Sequence, residues 1–190
     1  MAETRRQISG EFRHYVEFKA GAERFLKLQT EDPRQEYHNR LAALIFLAFA
    51  FEAFVNHVGA KKYPEWWEFV ERTGFQSKVK LLCFHLGVKA DFGARPFQTL
   101  LDCKNRRDEL AHSKYYPFDL TVTIPEGVDS ANCLFPEIER DYYANREFVE
   151  RTLADLNHAI KLVLDAARLE NENPDSLASS FGQPSMPKTL

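Results

Sequence analysis

The stretch "LAALIFLAFAF" at residues 41–51 is the most apolar run of the chain, and it stops at Glu52. Its eleven residues are too few to cross a bilayer as a helix, which takes about 20. The run is apolar almost all round, as in a helix at the centre of a bundle or in a dimer interface. We therefore predict a buried helix from Arg34 to Val58, with Gly59 as the residue that ends it.

Helical periodicity and turn residues on both sides of this helix predict further helices. An amphipathic pattern covers residues 10–29, and two shorter patterns end at Gly74 and Gly87. Another helix is expected over residues 96–115. The last is expected within residues 140–170, where one stripe carries Phe148, Leu153, Leu156, Ile160, Leu164 and Ala167. The fold class is therefore predicted to be all-α, a helical bundle.

The pattern changes near residues 119–138, where β-branched residues alternate around a Pro-Glu-Gly turn. A small β-hairpin or an irregular insertion is expected there. Residues 1–33 are interpreted as an N-terminal amphipathic helix packing on the bundle, and residues 34–172 as the helical domain. The Pro-, Ser- and Asn-rich tail at residues 173–190 is predicted to be disordered.

Composition narrows the class of protein. The net charge is −3, so any contact with nucleic acid has to come from a local basic patch. The three cysteines stand far apart, and the histidines show no metal-ligand spacing. We expect a cytoplasmic protein with no signal peptide, no membrane segment, no metal and no cofactor.

A second stretch, "CKNRRDELAHSKYYPF" at residues 103–118, raises the question of function. Pro117 places His112 in the last turn of its helix, and Asp108, four residues earlier, could reach the imidazole ring. Arg107 lies five residues before His112, about 140° round a straight helix. The two share a face only if the helix end distorts, the arginine wraps round, or a second copy supplies one of them.

The sequence allows two interpretations of each polar residue in and near this stretch. A solvated helix end explains Arg107 and His112 without any function. Glu52 and Asn56 either hydrogen-bond within the core or lie near the site and pair with Arg107 or Arg106.

The candidate RNA contacts are side chains on both sides of the histidine. Lysines there would add positive charge for a phosphate backbone, and tyrosines would line an RNA groove. They are Lys104, Lys114, Tyr115 and Tyr116. Lys78 and Lys80, by contrast, are expected to be solvated. Trp66 and Trp67 could stack on bases, but such a cluster more often caps a core.

The sequence from Arg107 to His112, "RDELAH", resembles the motif of the HEPN superfamily: arginine, a polar residue, a short spacer and histidine. "FLAFAFEAFVNHVG" at 46–59 is similar to an early core helix of that family, with an acidic residue and an asparagine one turn apart. The resemblance covers residues 35–170 and implies a HEPN-like bundle. It also implies a homodimer in which the sites of two protomers lie together.

The resemblance further implies a metal-independent endoribonuclease of the toxin or phage-defence type, with RNA as substrate and an antitoxin or other partner protein. His112 would act as general acid or base, Arg107 would bind the scissile phosphate, and Asp108 would orient one of them. The alternative is a non-catalytic HEPN-like dimer that binds RNA, a nucleotide or a partner protein. The acidic net charge favours that alternative.

Overall fold

The computed structural model describes residues 11–70, 72–112, 123, 126–127, 144–169 and 172–175. Within these ranges no residue belongs to a strand, which confirms the all-α prediction. The expected insertion at 119–138 falls outside the described residues except for three isolated positions. The helices are α1 (His14–Lys27), α2 (Pro33–Lys62), α3 (Phe75–His85), α4 (Phe97–Ala111) and α5 (Arg146–Ala167), with a π-helical segment at Trp66–Val70.

Helix α2 is the centre of the fold. It begins at a cap in which the Asp32 carboxylate accepts a hydrogen bond of 2.9 Å from the backbone N–H of Arg34, and Pro33 fits the first turn. It packs against each of the other described helices. Its apolar run supplies much of the core, which confirms the predicted buried helix: Ala43, Leu44, Leu47, Ala48, Ala50, Phe51, Phe54, Val55 and Val58 are buried.

By length and composition alone, α2 could also cross a membrane. It has 30 residues, and an 18-residue window within it has a mean hydropathy of 1.9, with half of that window buried. The core helix of a globular protein meets the same criterion, so hydropathy does not assign α2 to a membrane.

The prediction that the central helix ends at Gly59 is wrong, because α2 continues to Lys62. The glycine serves a close packing contact instead. A Cβ atom at Gly59 would lie 2.3 Å from the indole of Trp66, which is buried and donates through Nε1 to Asn56 Oδ1 at 3.2 Å. Gly87, in contrast, follows α3 with a φ of +71°, the left-handed geometry that glycine adopts readily.

Helix α5 packs against α2 and α4. Asn145 caps it by accepting a 2.7 Å hydrogen bond from the backbone N–H of Phe148, and Arg40 of α2 donates through Nε to the carbonyl of Ala144 at 2.8 Å. The predicted apolar stripe is confirmed: Phe148, Leu156, Ile160 and Ala167 are buried, and Leu153 with Leu164 is partly buried.

Residues 172–175 lie against α1 and α2, although the sequence predicts disorder from residue 173. The Glu172 side chain is 1% exposed. Burial opposes its ionisation, but hydrogen bonds from His57 and Lys61 outweigh burial and lower the pKa of Glu172 to about 2. Its contacts are Tyr15 (3.2 Å), Arg13 (3.3 Å), His57 (3.1 Å) and Lys61. The other positions of the predicted tail lie outside the described residues.

Candidate functional site at the end of α4

His112 is the C-cap of α4, because the helix ends at Ala111 and not at residue 115 as predicted. Its backbone N–H donates to the carbonyl of Asp108 at 2.9 Å, and its side chain is exposed. The ring is therefore open to solvent and to a ligand.

Arg107 is held against α2. Its Nη2 donates to Glu52 Oε2 at 3.2 Å, and its Nη1 lies 3.1 Å from Asp108 Oδ1. The guanidinium also lies 5.2 Å from the ring centroid of Phe49, one turn before Glu52. Of the two readings of Glu52, the structure supports the one in which the carboxylate pairs with Arg107.

The Arg107 guanidinium retains donors beyond these two contacts. A guanidinium has about five N–H groups, of which the carboxylates take one on each Nη. Its Nε is buried without a hydrogen-bond partner in the described part of the chain. The side chain is 20% exposed, and one N–H of each Nη group is not used by these two carboxylates.

The Asp108 carboxylate contacts Arg107 and not the His112 ring, which it was expected to reach. Its ion-pair partners among the described residues are Lys104, one turn earlier, and Arg107. Asp108 and His112 meet through the backbone hydrogen bond of the cap. Of the two side chains that Asp108 was expected to orient, its carboxylate contacts Arg107.

The remaining candidates divide between packing contacts and positions outside the described residues. Arg106 places its guanidinium 3.6 Å from the ring centroid of Phe148, on α5. Asn56 accepts the hydrogen bond from Trp66, so it follows the core reading. Trp66 caps the core as expected, whereas Trp67 is 58% exposed. Lys114, Tyr115 and Tyr116 lie outside the described residues.

Lys78 joins the site unexpectedly, and the prediction that it is solvated is wrong. It is 2% exposed, with its ammonium 3.6 Å from Glu52 Oε1. Lys80 is exposed, as predicted. The sequence signal for Lys78 is its helical spacing, because Lys78 precedes the buried Leu82 by four residues and lies on the same stripe of α3.

Together these side chains form a chain of alternating charge across three helices. We call it the α4 charge network: Lys78, Glu52, Arg107, Asp108 and Lys104. Three cations and two carboxylates give it a formal charge of 3 − 2 = +1. The network therefore holds one cation more than it holds carboxylates, in a chain with a net charge of −3.

The two described cysteines do not add a nucleophile. Burial raises the pKa of Cys83 to about 11 and that of Cys103 to about 12, so both stay protonated at neutral pH. The Cys103 thiol donates to the carbonyl of Leu44 at 3.5 Å. Cys103 opens the stretch that contains the motif, and its role there is packing.

One group in the described ranges has ligand atoms close enough to share a metal ion: Glu11, His57 and Glu172. The Lys61 ammonium contacts both of its carboxylates, and Arg13 contacts Glu172. Protein cations thus already balance the acidic charge, and the arrangement is that of an ion-pair cluster joining the C-terminal segment to α1 and α2.

Comparison with known proteins finds no family model, no curated protein and no solved structure that matches this chain.

Proposed function

We propose that the protein is a metal-independent endoribonuclease, in which Arg107 and His112 act on a phosphodiester of RNA. The observation that carries the proposal is the fixed guanidinium of Arg107, held by Glu52 and Asp108 in the last turns of α4, with the exposed His112 at the cap. The similarity of "RDELAH" to the HEPN motif and the all-α bundle support it.

RNA suits this set of side chains because its own 2′-hydroxyl supplies the nucleophile. Imidazole exchanges protons near neutral pH, so His112 takes the proton of the 2′-hydroxyl as its oxygen attacks phosphorus. Arg107 donates to the non-bridging oxygens, where negative charge grows in the transition state. The 5′-oxygen leaves with a proton, and the products carry a 2′,3′-cyclic phosphate and a 5′-hydroxyl.

A homodimer would supply a second imidazole. With two sites side by side, His112 of one protomer accepts the first proton and His112 of the partner subunit donates the second. Such an arrangement also removes the difficulty that Arg107 and His112 of one chain are about 140° apart on a straight helix. A toxin or phage-defence enzyme with an antitoxin or partner protein is the biological setting that this proposal favours.

The second candidate is a non-catalytic dimer that binds RNA, a nucleotide or a partner protein. Two observations favour it: both Nη groups of Arg107 already meet carboxylates, and Asp108 does not orient the His112 ring. Purified wild-type protein and the His112→Ala variant, compared on RNA for binding and for cleavage, separate the two candidates. Cleavage by wild type alone supports the nuclease, whereas equal binding without cleavage supports the second candidate.

A further inference from the structure

Lys78 of α3 and Arg107 of α4 both contact the carboxylate of Glu52, which lies on α2. Lys78 of α3 contacts Oε1 of Glu52 at 3.6 Å, and Arg107 of α4 contacts Oε2 at 3.2 Å. The Lys78 side chain is 3% exposed, whereas the carboxylate is 35% exposed and the guanidinium 20%. The lysine therefore approaches Glu52 from the protein interior, and Arg107 is nearer to solvent.

Burying a lysine costs free energy that one ion pair rarely recovers in full. An apolar side chain of similar length in this place would be at least as good for stability. The buried charge is thus poorly explained by stability alone, and its effect on the Glu52 carboxylate is the property to consider.

That effect follows from the geometry of an arginine–carboxylate pair. A free carboxylate pairs with a guanidinium through both oxygens, which uses two N–H donors and neutralises the cation. With Oε1 held by Lys78, the carboxylate meets Arg107 through Oε2 alone. Glu52 then fixes the guanidinium through one N–H of Nη2, Asp108 takes one N–H of Nη1, and the second N–H of each Nη group remains for a phosphate.

We propose that Lys78 is a positioning residue of the site: by holding one oxygen of Glu52, it keeps Arg107 fixed and able to bind the scissile phosphate. This inference rests on the proposed function for its effect on RNA cleavage. The effect of Lys78 on the Arg107 guanidinium does not depend on cleavage, so the positioning role and the nuclease function can be tested separately.

The test compares Lys78→Met, Lys78→Arg and the matched control Lys80→Met, which removes an exposed lysine from the same helix. Lys78→Met is expected to keep or raise Tm and to lower kcat/KM for RNA by about 10- to 100-fold, the size of a small misplacement at a reacting centre. Lys78→Arg should restore most of the activity, and Lys80→Met should leave it unchanged. In a Glu52→Gln background, Lys78→Met should have no further effect on the rate.

The second readout is the Nε–Hε signal of the Arg107 side chain in ¹⁵N NMR spectra of the same variants. We expect it to shift and broaden in Lys78→Met and to stay unchanged in Lys80→Met. Wild-type cleavage by Lys78→Met would overturn the inference and leave the nuclease standing. If the wild type itself does not cleave RNA, the proposed function fails, and an Arg107 signal unaffected by Lys78→Met would then overturn the positioning role as well.

Discussion

Arg107 of α4 donates from Nη2 to Oε2 of Glu52 on α2 across 3.2 Å, so the arginine of the motif is tied to the central helix of the bundle. Glu52 interrupts the apolar run of that helix, where an unpaired carboxylate would be costly. Its pairing with Arg107 explains why the interruption is tolerated. It also holds the Arg107 guanidinium in a fixed orientation, five residues before the exposed His112.

The first prediction concerns the energy of this pair. Removing each partner alone should destabilise the fold, and removing both should cost less than the sum. We expect a coupling energy of about 1 kcal/mol, because both side chains are only partly buried. The measurement is urea unfolding of wild type, Glu52→Gln, Arg107→Met and the double variant. Strict additivity of the two single changes would show that the contact does not stabilise the protein.

The second prediction separates the two neighbouring arginines. Arg106 lies on the Phe148 ring, so Arg106→Lys should lower stability by part of the about 0.5–2 kcal/mol of a cation–π contact, because an ammonium keeps the charge but does not stack on the ring as a planar guanidinium does. RNA cleavage should change little in that variant, whereas Arg107→Lys should lose most of it. Thermal unfolding and initial cleavage rates of the two variants test this. Equal loss of cleavage with unchanged stability in Arg106→Lys would assign Arg106 to the RNA site.

The third prediction tests the corrected role of Gly59. Alanine is the better helix former by about 1 kcal/mol, but its Cβ would lie 2.3 Å from the Trp66 indole. We expect Gly59→Ala to cost about 1–3 kcal/mol overall from overpacking. Gly74→Ala is the control, since a Cβ there would meet nothing within 4 Å. Chemical unfolding that ranks the two variants equally would contradict the packing role.

The fourth prediction is a pH dependence of stability from Glu172. Its pKa is lowered from 4.5 to about 2 in the folded protein, so its stabilisation is present above pH 4.5 and is lost as pH falls toward 2. The difference of 4.5 − 2 = 2.5 in pKa corresponds to about 3 kcal/mol. Glu172→Gln should be less stable than wild type at pH 6, and the gap should close near pH 2. A constant gap between wild type and variant across this range would contradict the assignment.

The central helix and the last helix could be predicted from sequence because their apolar patterns are strong. The run at 41–51 contributes Ala43, Leu44, Leu47, Ala48, Ala50 and Phe51 to the core, and the stripe from Phe148 to Ala167 lies on the bundle face as expected. The end of α2 could not be predicted, because a glycine in the sequence can either end a helix or leave room for a neighbouring ring within one. Only the position of Trp66 in three dimensions decides between the two.

Within the site, polar residues in apolar surroundings were the informative ones. The place of Glu52 in an apolar helix predicted either a core contact or a pair with Arg107 or Arg106, and in the structure the carboxylate contacts Arg107. Lys78 was missed because a lysine is usually exposed, although its spacing to Leu82 placed it on the buried stripe. Glu172 was missed for a different reason: its partners lie more than 100 residues earlier in the chain, and no local pattern reports such contacts.

The most direct test of the central claim is RNA cleavage in EDTA by wild-type protein and His112→Ala, with both confirmed as folded and the 3′ ends of any products analysed. The proposed nuclease predicts cleavage by wild type alone, leaving 2′,3′-cyclic phosphate ends. Equal cleavage by both proteins, or none by either on a broad set of RNAs under conditions where both bind, would contradict the catalytic role of His112 and favour a binding dimer.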